Sequence, residues 1–123
     1  MPKDFSRTRR IGEQMQRELA QLIQMEVHDP RLGMVTVADV EVSRDLAVAK
    51  VYITSLDEGE KLEQSMAVLK NAAGFLRHEL GQRMTIRFIP ELRFIHDVTI
   101  QRGNELAALI DKAVAGDKQN QND

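Results

Sequence analysis

Two β-branched stretches separated by three polar residues constrain this chain more than any other feature. The first runs Met34-Val35-Thr36-Val37-Ala38-Asp39-Val40-Glu41-Val42 and the second runs from Leu46 to Thr54. Branched side chains favour a pleated surface. A connection as short as Ser43-Arg44-Asp45 makes the two strands antiparallel. The apolar alternation changes phase between Val37 and Val40, which points to a bulge near Ala38-Asp39.

Helical periodicity flanks this pair. Over residues 7–27, Ile11, Met15, Leu19, Leu22 and Ile23 form one apolar stripe. Ser6 stands where an N-cap belongs, and Pro30 disfavours a helical Asp29, so the helix ends by His28. After the hairpin, Asp57-Glu58-Gly59-Glu60 places acids at the positive end of a second helical stretch. Its stripe is Leu62, Met66, Leu69, Ala73, Leu76 and Leu80, with Gly81 as a natural C′ residue. The centre of that stretch is weak, because Gly74 costs a helix about 1 kcal/mol relative to alanine. Phe75 falls off the stripe of a straight helix, so burying it requires a bend at Ala72-Ala73-Gly74.

Residues 84–95 read as a third strand, with Met84, Ile86 and Phe88 alternating before Pro90, which marks an edge, a bulge or a break. A last helix is expected from Asn104, with Leu106, Leu109, Ile110 and Val114 on its apolar side. The segment 116–123 is too polar to pack. The reading is an α+β fold ordered helix-strand-strand-helix-helix-strand, followed by a C-terminal helix. Helices cover one face of a three-stranded sheet, and the other face is partly solvated. A length of 123 residues fits one domain, taken as 1–115 with a polar tail at 116–123.

Composition narrows function. The chain has no cysteine, which removes disulfides, thiolate metal sites and a cysteine nucleophile. Met1-Pro2-Lys3-Asp4-Phe5 carries no apolar signal region, and no apolar run reaches membrane-spanning length, so a soluble cytoplasmic protein is expected. Net charge is −2, yet residues 1–17 and 70–102 each carry +3 while residues 39–64 carry −4. Local field rather than net charge governs encounter with a polyanion, although ordinary scattered surface charge accounts for these counts as well.

Two patterns could carry binding chemistry. Lys70, Gly74 and Arg77 follow one line on a helix, so two cations flank a position with no side chain, where a phosphate could approach closely. Arg10, Gln14, Arg17, Gln21 and Gln24 share the first helix's outer face without an acid among them. Cations neutralise phosphates and amides bond sugar or base edges. By spacing alone, a plain solvated face is the simpler account of both patterns. His28, His78 and His96 lack metal spacing, and Ser6, Ser43, Ser55 and Ser65 lack a nucleophile's context. Arg44 and Asp45 read as stabilisers of the strand connection, Lys50 as a residue snorkelling at the sheet edge, and the six methionines as gap-filling core.

Several segments, taken together in order, resemble the bacterial ribosome-binding factor A family. They are Asp29-Pro30-Arg31-Leu32-Gly33-Met34, Ser43-Arg44-Asp45-Leu46 with Ala49-Lys50-Val51-Tyr52, Ala72-Ala73-Gly74-Phe75-Leu76-Arg77, and Pro90-Glu91-Leu92-Arg93-Phe94, with Asp97 and Gly103 beyond. The resemblance spans about residues 5–112. It implies a type II KH-like fold and a non-enzymatic assembly factor with no cofactor, no metal and no small-molecule substrate. Members bind the immature 30S subunit and 16S rRNA near the decoding end, support processing of the pre-16S rRNA 5′ end, and act in cold adaptation. They leave the mature subunit, in part through other assembly factors and an initiation factor. Ordinary KH modules clamp a nucleic-acid backbone with a Gly-x-x-Gly loop, whereas Ala72-x-Gly74 is the family's variant. Shape and phosphate recognition is therefore expected over sequence reading.

With the resemblance, the candidate RNA contacts are Lys3, Arg7, Arg9, Arg10, Arg17, Lys70, Ala72, Gly74, Arg77, Arg83 and Arg87, on a protein that is monomeric off the ribosome. A free KH-like protein binding single-stranded RNA is disfavoured by the missing loop and the few aromatics, Phe5, Tyr52, Phe75, Phe88 and Phe94. A small RNase lacks any triad, carboxylate pair or metal-spaced cluster.

Overall fold

A computed structural model of the chain describes residues 3–98. Its elements are α1 (Lys3–Glu26), β1 (Val35–Val42), β2 (Val48–Ser55), α2 (Gly59–Asn71), α3 (Ala73–Arg83) and β3 (Glu91–His96). The sheet order is β1-β2-β3, with β1 antiparallel and β3 parallel to β2. The expected helix from Asn104 and the tail at 116–123 lie outside the described residues.

One face of the sheet carries the core. The period of two turns Ala49, Val51 and Ile53 of β2, with Leu92 and Phe94 of β3, towards the helices. Ile11, Met15, Leu19, Leu22 and Ile23 of α1 meet them with Leu69, Leu76 and Leu80. The bulge lies where the phase change put it: Val37 pairs with Ile53 and Asp39 with Tyr52, leaving Ala38 as the extra residue. Gln16 Nε2 donates to the carbonyls of Ala38 at 2.9 Å and Val37 at 3.3 Å, so the bulge's acceptors are satisfied from α1.

The hairpin connection is knit by its own side chains. Asp45 accepts from the Ser43 hydroxyl and the Ala47 N–H, and these bonds hold its carboxyl below the usual range. Leu46 adopts φ 60°, a left-handed turn, so β2 begins at Val48 and not at Leu46. After α1, Asp29 turns the chain by accepting from the Arg31 backbone N–H at 2.9 Å and from the Arg31 guanidinium at 2.8 Å. That guanidinium hydrogen bond lowers the Asp29 carboxyl to about 2.

Other boundaries differ from the sequence reading. Helix α1 starts at Lys3, so Ser6 lies inside it and is not its N-cap. Gly81 lies inside α3, which runs to Arg83 and is capped by Met84. The third strand is Glu91–His96, and residues 84–90 form an irregular loop. In that loop Met84 and Pro90 are buried while Phe88 is 70% exposed, so its alternation belongs to no sheet face. The second helical stretch is broken at Ala72, two residues before Gly74, and Phe75 stays 45% exposed despite the break. Lys50 stands on the central strand, not at an edge. Met15 and Met84 are core residues, but Met25 and Met34 are exposed.

Candidate nucleic-acid interface

The break at Ala72 builds the site. Helix α2 closes with the Ala72 N–H bonded to the Val68 carbonyl, and α3 opens with the Leu76 N–H bonded to the Ala72 carbonyl, each at 2.9 Å. A helix leaves its first-turn N–H groups without intrahelical partners, and the N-cap of α3, Ala72, has no side-chain acceptor to offer them. The positive end of the α3 dipole is thus bare at Ala73-Gly74. An ideal Cβ on Gly74 would meet nothing within 4 Å, so the backbone there is open to an incoming group.

A groove of about 420 Å³ runs from this turn to the edge strand β3, lined by Lys70, Ala73, Gly74, Arg77, Glu91, Leu92, Arg93 and Phe94. Leu92 and Phe94 are buried and form its floor; Lys70, Arg77 and Arg93 are exposed and form its rim. Arg77 Nε donates to the Ile89 carbonyl at 2.9 Å, which fixes the stem of that side chain beside the groove. Arg93 lies 3.4 Å from Glu91 in a solvent-exposed pair, the one acid on the rim. Helix-start N–H groups, a position without a side chain and the cations Lys70 and Arg77, with Arg93 on the strand side of the lining, are groups of the kind that can accept a phosphate.

The sequence candidates divide between two places. Lys70, Gly74 and Arg77 meet in the groove, with Ala72 at the break above it. Arg7, Arg10 and Arg17 are exposed on α1, which packs on β1 and α3 at the opposite side of the sheet from β3. Among the described residues, none of Arg7, Arg10, Arg17, Lys70 and Arg77 forms an ion pair. Arg9 lies 3.7 Å from Glu13, one turn on. Arg83 is engaged within the fold, donating to Glu18 at 3.1 Å and Gln21 at 3.3 Å and so tying α3 to α1. Lys3 falls at the start of α1, and Arg87 lies in the loop before β3.

Arg93 was missed as a site residue by sequence reasoning. Its signal is the alternation Glu91, Arg93, Ile95 against Leu92, Phe94, which sets a cation on an edge strand; a strand read from residue 84 hides it. Among the described residues no three His, Cys, Asp or Glu side chains cluster as a metal site requires. No described helix is long and apolar enough to cross a membrane.

A three-stranded sheet covered by helices, with a helix-turn-helix break facing an edge strand, defines a small α+β domain of the type II KH-like class. The family model of ribosome-binding factor A matches residues 7–110. Ribosome-binding factor A of Thioalkalivibrio sulfidiphilus is 58% identical over 118 residues, 96% of this chain and 92% of that protein. The crystal structure of ribosome-binding factor A from Thermus thermophilus superposes with a TM-score of 0.65 at 32% identity, covering 72% of this chain and 94% of the other. A homology model of the Thermus thermophilus factor, fitted into an electron cryo-microscopy map of its complex with the 30S subunit, gives 0.59 at 34% identity, covering 70% of this chain and 90% of that one. The chain belongs to the ribosome-binding factor A family.

Proposed function

We propose that this chain is an assembly factor that binds free immature 30S subunits through 16S rRNA, supports processing of the pre-16S rRNA 5′ end, and sustains growth in the cold. The observation that carries the reading is the groove in which Lys70, Arg77 and Arg93 surround the uncapped start of α3. The Thermus thermophilus relative, fitted into a map with the 30S subunit, supplies the class of partner. Arg7, Arg10 and Arg17, exposed on α1, form a second cationic patch apart from the groove and give a folded rRNA more than one phosphate to engage.

The factor acts by binding. A ligand shifts a conformational equilibrium only by its differential affinity for the two states, so the chain holds one rRNA conformation while separate nucleases trim the precursor. It works as a cytoplasmic monomer off the ribosome and needs no cofactor. The test is Lys70→Glu with Arg77→Glu, followed by co-sedimentation with immature subunits on a sucrose gradient. Reversing two rim charges is expected to lower the bound fraction at least about tenfold and to steepen the cold growth defect. Lys70→Glu alone controls for Arg77's bond to the loop. Unchanged co-sedimentation would sink the groove as the docking site.

A further inference from the structure

The loop between α3 and β3 carries a second part of the site. Met84 and Pro90 bury its two ends, and Ile86 and Ile89 are half-buried, so the loop is held at four points. Arg77 holds the Ile89 carbonyl, and a Cβ on Gly81 would stand 3.7 Å from Ile89 Cγ1, so α3 and the loop run in close contact. Held in this way, the loop turns Arg87 and Phe88 outward. Phe88 keeps 70% of its surface exposed, and the Arg87 guanidinium carbon lies 5.4 Å from its ring centroid. That cation–π contact orients the ring and leaves its other face to a ligand.

A single exposed phenylalanine needs no explanation; its surroundings give this one a meaning. Phe88 and Arg87 share a shallow concavity with Gly74, Arg77, His78 and Gln82. Gly74 and Arg77 also line the phosphate groove, so the two hollows meet across a position with no side chain. Among the described residues no carboxylate lines the second hollow. A cationic rim around an aromatic face suits a nucleobase attached to a phosphate better than an apolar peptide side chain.

We propose that Arg87 and Phe88 form a stacking platform for an unpaired base whose phosphate lies between Lys70 and Arg77. The ligand is a single-stranded RNA segment, held without sequence preference because every base has a π-face. The Gln82 amide and the His78 imidazole, 3.3 Å apart, offer polar atoms to the base edge. The proposal rests on the groove reading above and adds an unpaired nucleotide as its occupant.

The chain has no tryptophan, so Phe88→Trp introduces a single indole at the platform. The full-length variant is titrated with an unstructured RNA hexamer and with an abasic ribose-phosphate hexamer, both dye-labelled so that anisotropy reports binding independently. The expected result is quenching of the indole by RNA along the same binding curve, with none from the abasic strand. Phe88→Ala is expected to weaken RNA binding by about 5- to 100-fold and to leave abasic binding unchanged. RNA that binds while the indole stays silent, or equal affinity for Phe88→Ala, would overturn the platform and leave the ring as a protein contact. Failure of both hexamers to bind also overturns it, while the groove itself is judged separately by the co-sedimentation of the Lys70→Glu/Arg77→Glu variant.

Discussion

At the scale of single residues, two glycines do opposite jobs. Gly12 is buried where α1 crosses β1, and an ideal Cβ there would stand 2.6 Å from the Val40 carbonyl oxygen. That oxygen belongs to a paired strand and cannot yield as a flexible side chain would. Gly12→Ala gains about 1 kcal/mol of helix propensity but forces overpacking of about 1–3 kcal/mol, and the second effect wins. A net loss of up to about 2 kcal/mol, read by calorimetry as a fall in melting temperature of up to about 10 °C, is expected. Gly74 has open space, so Gly74→Ala is expected to stabilise the fold by about 0.5 kcal/mol while its methyl obstructs the phosphate groove and weakens subunit binding. Stability and binding that rise together in Gly74→Ala would contradict the site. The sequence singled out Gly74 because it interrupts a helical stripe. Gly12 gave no such signal, since the carbonyl that requires it comes from a strand 28 positions away.

Among the elements, the helices and their breaks decide which side chains meet. The stripe Ile11, Met15, Leu19, Leu22 and Ile23 was readable because every member is buried against the same sheet face. The residues of α3 were harder, because their apolar period is short and the helix depends on neighbours. Arg83 shows this: its guanidinium bonds Glu18 and Gln21 on α1, and both charged side chains are partly buried, at 32% and 26% exposure. This pair ties the end of α3 to α1, beside the packing of Leu76 and Leu80 in the core. A double-mutant cycle on Arg83→Ala and Glu18→Ala is expected to return a coupling of about 0.5–1 kcal/mol by denaturant unfolding. A coupling of zero would mean that packing alone holds α3 against α1. The loop at 84–90 imitates a strand in sequence for a related reason: Met84, Ile86 and Phe88 alternate, but Met84 is the C-cap of α3 and Phe88 faces out.

For the molecule as a whole, charge is segregated although the total is only −2. The groove rim sets Lys70, Arg77 and Arg93 against one acid, Glu91. Binding of RNA by such a rim releases counterions, so affinity falls as salt rises. Replacing Lys70 or Arg93 by glutamine is expected to flatten the plot of log affinity against log salt by about 0.7 for each cation removed. An unchanged slope would place those cations off the RNA. The sequence by itself determined the strand pair, its antiparallel sense, the bulge at Ala38 and the core stripe of α1. These depend on local period and connection length, which neighbours along the chain dictate. The tertiary structure alone decided that Arg93 joins Lys70 and Arg77, that Arg83 is spent on α1, and that Phe88 stands outside. Each of those outcomes depends on a contact between elements far apart in the chain, and no local pattern specifies which distant backbone or side chain will arrive there.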